Sequence, residues 1–166
     1  MLRSLSARAD VPVHETWALE HLFADATAAD AAQDELDAAV DAFAGRRGRL
    51  APDPAALAAA LDAYGDVVAR AERLRLYRSL PASADRTDAG ARAAAGRFRA
   101  AAARWSTALA FVDAELLAAP EADFATWLAH PDLARHRPFL ERLARRRPHV
   151  RSAEIEDVLA GADATF

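Results

Sequence analysis

The sequence predicts an all-α protein, an irregular antiparallel bundle of about six helices with one long central helix. Alanine, the best helix former, accounts for 47 of the 166 residues, whereas valine occurs eight times and isoleucine once. Large apolar residues recur at steps of three and four along much of the chain, as they do on the buried face of a helix. The length is that of one domain with a core of its own.

The long central helix is predicted to start at Asp85 to Asp88 and to run to Leu117, about 30 residues or ~45 Å at ~1.5 Å rise per residue. Its apolar seam follows steps of four and three, and it consists of Phe98, Ala102, Trp105, Leu109, Val112 and Leu116. Because two aromatic side chains lie on this seam, neighbouring helices are needed to cover it.

Two helices are predicted before it. Thr27, with Asp30 three residues later, marks the start of the first, and Gly45 marks its end. Asp53 and Pro54 provide the cap and first turn of the second, which Pro81 is predicted to stop. Gly65 inside this helix suggests a close crossing with a neighbour. The apolar stripes are Leu36, Val40 and Phe43 in the first helix, and Leu57, Leu61, Tyr64, Val68, Ala71, Leu74 and Tyr77 in the second.

The predicted domain organisation is a flexible N-terminus, residues 1–10, followed by a single helical domain, residues 11–166. Three short helices follow the long one, separated by prolines. The apolar residues that anchor the start of the domain are Trp17, Leu19, Leu22 and Phe23, and those of the short helices are Phe124, Trp127 and Leu128, then Phe139, Leu140 and Leu143, then Ile155, Val158 and Leu159 after a cap at Ser152.

Charge and cysteine content exclude several classes of protein. The net charge of −4 argues against a nucleic-acid-binding surface, although seven arginines crowd residues 135–151 and eight acids lie in residues 15–41. The absence of cysteine excludes disulfides and thiolate metal sites, and it is compatible with the reducing cytoplasm. No run approaches ~18 apolar residues, so a soluble cytoplasmic protein without a membrane partner is expected.

No assembled active site emerges from the residues themselves. No two histidines have the i, i+4 spacing with an adjacent glutamate that a zinc-binding helix requires, and exposed or capping roles are favoured for all five. The closely spaced acids Asp34, Glu35 and Asp37 are typical of a hydrophilic helix face. The tryptophans are interpreted as packing anchors. No catalytic, cofactor-binding or metal residue is assigned; the histidines are His14, His21, His130, His136 and His149, and the tryptophans are Trp17, Trp105 and Trp127.

Three stretches carry a resemblance to the oligoendopeptidase F family of zinc metallopeptidases. Residues 11–23, with Pro12 and a Trp-x-Leu-x-x-Leu-Phe segment, resemble the opening that precedes the first long helix of that family. Residues 111–117 are similar to its aromatic-x-x-x-Glu-Leu helix end. Residues 127–154 are similar in order and spacing to its Tyr-Leu, Pro-x-Leu, Leu-x-x-Leu, Lys-Pro-His and Leu-Ser-x-x-Glu series, although Ala18 replaces an Asp common after the Trp and Arg146–Arg147 varies the Lys-Pro-His approach.

This resemblance implies the N-terminal, non-catalytic helical region of such an enzyme, a wall of the channel that admits short peptides. The zinc ion and the His-Glu-x-x-His motif would belong to a missing C-terminal catalytic lobe, and nothing in this sequence matches them. Short Pro-bounded helices with Phe124, Trp127, Leu128 and Phe139 are predicted to expose an apolar patch where that lobe packed. Residues 120–166 are predicted to exchange amide protons faster than the Asp53–Leu117 core, and the chain to self-associate at high concentration. Two alternatives remain: a free-standing helical interaction module, and an unrelated small helical enzyme built on arginines and carboxylates.

Overall fold

The structure, a computed structural model, describes residues 11–149, and within them the regular structure is entirely helical. The predicted all-α class is therefore confirmed, and the helix count agrees with the prediction of about six. The predicted helix from Ser152 lies outside the described residues. The helices are α1 (Ala26–Ala44), α2 (Pro54–Ala84), α3 (Ala89–Leu109), α4 (Phe111–Ala118), α5 (Glu121–Ala129) and α6 (Arg137–Arg146), with short 3-10 helices at Val13–Glu15, Leu19–His21, Pro131–His136 and Arg147–His149.

Aspartate side chains cap the first three helices. The carboxylate of Asp53 accepts a hydrogen bond from the amide of Ala56 at 2.7 Å, and that of Asp88 from Ala91 at 2.9 Å, as the sequence predicts. Helix α1 differs, because its cap is Asp25, which accepts from the amide of Ala28 at 2.8 Å, and the helix already includes Thr27. Each cap satisfies an amide that has no partner inside the helix.

The described residues divide into two compact units, each built from discontinuous segments. In the first, residues 11–46 and Asp62–Ala110, helices α1 and α2 run in opposite directions, since Asp30 pairs with Arg78 and Glu35 with Arg70. Phe43 contacts Tyr64 with ring centroids 5.9 Å apart. The buried core of this unit consists of Ala29, Leu36, Val40, Val67, Leu74, Phe98, Ala101 and Trp105.

The predicted long helix is present from Ala89 to Ala118, with one interruption. Ala110 leaves the helical hydrogen-bond pattern and separates α3 from α4, although its φ of −57° and ψ of −24° remain in the right-handed helical region. Phe98, Trp105, Val112 and Leu116 of the predicted seam are buried, and Ala102 and Leu109 are half-buried. The four-three spacing therefore identified the covered face on both sides of the interruption.

Helix α2 departs from the prediction at three positions. Val68 is 47% exposed and its neighbour Val67 is 5% exposed, because the core-facing stripe takes a step of three after Tyr64 where a step of four was predicted. An added Cβ at Gly65 would meet nothing within 4 Å, so this glycine marks no close crossing. Pro81 lies inside the helix, which continues to Ala84, because the ring removes one amide donor without preventing a last turn.

The N-terminal anchor is smaller than predicted. Trp17 is 64% exposed and does not belong to the core, and Leu19 and Leu22 are half-buried. Phe23 makes the specific contacts, an edge-on packing against Tyr77 at 5.3 Å and a position under the guanidinium of Arg73 at 4.9 Å. Arg73 also donates a hydrogen bond to the carbonyl of Leu22, which fixes the backbone just before Phe23.

The second unit contains Arg47–Leu61 and the described residues from Phe111 onward. The prediction of an exposed apolar patch was wrong for Phe124 and Trp127, which are 4% and 5% exposed, while Leu128 and Phe139 are half-buried. The short helices cover one another, since α5 and α6 pack together and α4 contacts α6. The large side chains buried in this unit are Leu50, Leu57, Leu61, Phe111, Val112, Leu116, Phe124, Trp127, Leu133, Leu140 and Leu143.

Candidate functional site

A cavity of about 520 Å³ lies in the second unit. One wall is the segment that leads into α2, and the other is formed by the end of α4 and the start of α5. A volume of this size is within the ~300–1,000 Å³ range of small-molecule pockets. The lining residues are Gly48, Arg49, Leu50, Ala51, Pro52, Glu115, Leu116, Ala118, Ala119, Asp123 and Trp127.

The turn that supplies the first wall is attached to α4 by two contacts. The amide of Gly48 donates a hydrogen bond of 2.5 Å to Oε1 of Glu115, and the guanidinium of Arg47 lies 4.9 Å from the ring centroid of Phe111. Gly48 has a φ of +76°, a left-handed conformation that glycine adopts without strain. The chain can therefore reverse at this point and aim its amide at the carboxylate.

The chemistry of the cavity is apolar with a small excess of negative charge. Leu50, Pro52, Leu116 and Trp127 supply carbon surface, together with three alanines. The charged groups at the lining are the carboxylates of Glu115 and Asp123 and the guanidinium of Arg49. Two carboxylates against one guanidinium favour a cationic or neutral occupant over an anion.

A second cavity, of about 340 Å³, is lined by residues of α5 and α6 and by Arg147 and Pro148. The guanidinium carbon of Arg147 is 4.5 Å from the ring centroid of Phe124, and Nη2 donates to the carbonyl of Ala119 at 2.5 Å. Nη1 is buried and has no hydrogen-bond partner among the residues that the structure describes. Because Arg147 contacts the end of α4 through Ala119 and α5 through Phe124, we assign it a packing role between these two helices.

The histidines singled out from the sequence do not converge. His14 and His21 are exposed, and His14 lies 3.7 Å from its neighbour Glu15. Nδ1 of His130 accepts a hydrogen bond from the amide of Asp132 at 3.4 Å, and His136 is half-buried. Within residues 11–149, no group of three or more His, Asp or Glu side chains is placed to hold a metal ion.

Two of the clustered acids of α1 bind neighbouring side chains, and two of the tryptophans are buried. Oδ1 of Asp37 accepts a hydrogen bond of 2.5 Å from Nε1 of Trp105, so this buried indole has its partner. Glu35 pairs with Arg70 at 3.4 Å, and Asp34 is exposed. The predicted packing role is confirmed for Trp105 and Trp127, which are each 5% exposed.

The sequence analysis did not identify the 520 Å³ cavity. Its two walls are 67 positions apart in the chain at the contact between Gly48 and Glu115, and no local pattern signals such a pairing. The usable signals were the Gly-Arg-Arg-Gly turn at residues 45–48 and the single carboxylate of Glu115 near the end of an apolar seam.

Among the described residues, no helix combines the length and the apolar character that a membrane crossing requires.

Comparison with known proteins gave matches to a family model, to a curated protein and to a solved structure. The family model for the N-terminal part of peptidase family M3, described as oligopeptidase F, matches residues 115–166. Group B oligopeptidase PepB of Streptococcus agalactiae is 30% identical over 151 residues, which cover 90% of this chain and 25% of PepB. A crystal structure of a Chlamydophila abortus protein, provisionally described as a peptidase, matches 96% of this chain and 27% of its own, with a TM-score of 0.71 and 20% identity. The chain thus spans about a quarter of the relatives it matches.

Proposed function

This chain belongs to the oligopeptidase F family as an N-terminal helical domain, and from that premise we propose that it forms one wall of the channel through which short peptides reach the catalytic centre of such a peptidase. The observation that carries the proposal is the match to PepB, which extends over 90% of this chain and confines it to a quarter of the relative. The regular structure of residues 11–149 is helical, and no three potential metal ligands converge there, which fits a role in admitting substrate.

We propose further that catalysis and zinc binding belong to the remaining part of the enzyme. The sequence contains no His-Glu-x-x-His motif, and His14-Glu15, its nearest approach, is followed by Ala18 at the position of the second histidine. The described residues do not fit a zinc site, since no three potential ligands converge. We also propose that the enzyme is cytoplasmic, since a sequence without cysteine is compatible with a reducing compartment.

A chimera tests the proposed role. The region of S. agalactiae PepB that aligns with this chain would be replaced by residues 11–166, and hydrolysis of a fluorogenic short peptide would be compared with that of PepB and of PepB lacking the region. We expect the deletion to lose peptide hydrolysis and the chimera to regain a measurable part of it. A folded but inactive chimera would overturn the proposal and favour a free-standing interaction module.

The isolated chain gives a second test. We expect it to hydrolyse no short peptide and to bind no stoichiometric zinc, because it supplies neither the two-histidine helix nor a cysteine ligand. Elemental analysis of protein purified without chelators, together with a peptidase assay in added zinc, measures both. One tightly bound zinc per chain, with hydrolysis that a chelator abolishes, would contradict the proposal and support a small enzyme in its own right.

A further inference from the structure

The 520 Å³ cavity of the second unit has a chemical character that the proposed function does not use. We propose that it binds an organic cation with an apolar stem, an alkylammonium or alkylguanidinium group. The stem lies against the carbon surface of the cavity, and the cationic head is held beside Glu115 and Asp123. This inference concerns a ligand site and is independent of the role in a peptide channel.

The apolar lining determines the stem. Leu50 and Leu116 are almost fully buried, and Pro52 and three alanines complete a surface that offers few hydrogen bonds to a polar ligand. A cavity of this kind favours a ligand whose apolar surface leaves water on binding. The binding free energy becomes more favourable with each methylene group that enters the cavity. A fully hydrophilic cation such as ammonium itself therefore gains little from this lining.

The charges determine the head. Glu115 is half-buried and keeps one oxygen on the amide of Gly48, while Asp123 is exposed. These two carboxylates outnumber the single guanidinium of Arg49 at the lining. Trp127 also lines the cavity, and an indole attracts a cation that reaches its ring face, because its π-cloud carries negative charge density. An alkyl carboxylate of the same size would meet net repulsion.

The test is a titration of the isotope-labelled full chain, followed by NMR. The probes are n-butylammonium and n-hexylammonium, with n-butanol and butyrate as matched ligands that lack the positive charge. We expect saturable shifts of the Trp127 indole and Gly48 amide signals with both ammonium probes, and affinity that rises up to about fourfold per methylene. Butanol is expected to bind more weakly and butyrate not at all.

Two variants identify the site, and one serves as the control. Asp123→Asn removes an exposed charge and is expected to weaken n-hexylammonium binding at least about threefold. This is the loss of affinity expected when one partly solvent-screened charge is removed. Ala118→Leu adds three carbons to a side chain of the lining, and it is expected to abolish binding while the rest of the spectrum remains that of a folded protein. The control is Glu141→Gln, an exposed acid on α6 that does not line the cavity.

A further arm distinguishes a free cation from a basic protein side chain. Blocked tripeptides with a central lysine or a central leucine would be titrated in the same way. Binding of the lysine peptide supports a basic side chain as the natural occupant, whereas binding of the free amine alone supports a small molecule. Absence of saturable shifts with every cation, equal binding of butyrate, or an affinity unchanged by Asp123→Asn would overturn the proposal.

Discussion

At the scale of the residue, Trp105 illustrates how much one side chain contributes to the core of the first unit. It is 5% exposed, packs on Phe98 with ring centroids 5.8 Å apart, and donates its indole hydrogen to Asp37. We expect Trp105→Ala to lower the free energy of unfolding by about 3–5 kcal/mol, as for other large aromatic core residues. Urea denaturation followed by circular dichroism measures this change.

Trp17→Ala is the matched control. Trp17 is 64% exposed, so its truncation is expected to change the free energy of unfolding by no more than about 0.5 kcal/mol. Equal losses of unfolding free energy in the two variants would show that Trp105 is not buried in solution. The sequence predicted the environment of Trp105 because that residue belongs to a long periodic seam, whereas Trp17 belongs to no helix and its exposure had no comparable signal.

Two glycines are expected to respond to alanine in opposite ways. Gly48→Ala places a Cβ on a residue with φ of +76° and is expected to destabilise the protein by about 1–2 kcal/mol. Gly65→Ala adds a methyl group to an open helical position and is expected to stabilise it by about 0.5–1 kcal/mol. Thermal melts of both variants check the pair, and stabilisation by Gly48→Ala would contradict the left-handed turn.

Asp85 gives a pH-dependent prediction. The hydroxyl of Thr87 at 2.6 Å and its amide at 2.8 Å both donate to Oδ1 of Asp85, and these hydrogen bonds hold the pKa of Asp85 below its ordinary value. A carboxyl with a lowered folded-state pKa contributes stability above its unfolded pKa, and that contribution is lost as the pH falls through the folded pKa.

The variant Thr87→Val removes the hydroxyl, so we expect the pKa of Asp85 to rise toward its ordinary value. Carbon-detected NMR titration of the aspartate carboxyl signals measures it. Thr107→Val is the control, because the hydroxyl of Thr107 donates to the carbonyl of Ala103. A pKa of Asp85 unchanged by the loss of the Thr87 hydroxyl would show that this hydrogen bond is absent in solution.

At the scale of the element, the two prolines of α2 have opposite expected effects. Pro54 occupies the first helical position, where no internal partner for an amide exists, and Pro81 lies near the end of the same helix, where its ring removes a hydrogen bond. We expect Pro81→Ala to raise the free energy of unfolding by about 1–3 kcal/mol. Pro54→Ala is expected to lower it by up to about 1 kcal/mol.

Chemical denaturation of the two proline variants provides the comparison. A loss of stability in Pro81→Ala would indicate that the half-buried ring contributes more through packing than the backbone loses. The sequence predicted a stop at Pro81 because proline usually ends a helix. It could not predict the extra turn, which depends on whether the following residues keep their own helical hydrogen bonds, such as that from the amide of Asp85 to the carbonyl of Pro81.

Element boundaries marked by side-chain caps could be predicted, and interruptions without a marker could not. Asp53 and Asp88 cap their helices as the sequence indicates, because a carboxylate before an alanine-rich stretch is a local signal. The interruption at Ala110 has no such signal, since alanine is the residue least expected to end a helix. The candidate cavity was missed for a related reason, as its walls come from distant segments.

At the scale of the whole molecule, the two compact units share one continuous helix. Residues up to Leu61 of α2 belong to one unit and residues from Asp62 to the other. Because neither unit can unfold completely while α2 stays intact, we expect one cooperative transition. Urea denaturation of Trp105→Phe and Trp127→Phe, each reporting mainly on the tryptophan of the other unit, measures it, and two separated midpoints would contradict the expectation.

The division into units also limits how this domain can change by gene rearrangement. The chain passes from one unit to the other at residues 46–47, 61–62 and 110–111, so both walls of the cavity are encoded on either side of Asp62–Ala110. A crossover within that interval would separate Gly48 from Glu115 and pair each with an unselected counterpart. A rearrangement that keeps both walls together must therefore also carry Asp62–Ala110, and with it the part of the first unit's core that lies between Val67 and Trp105.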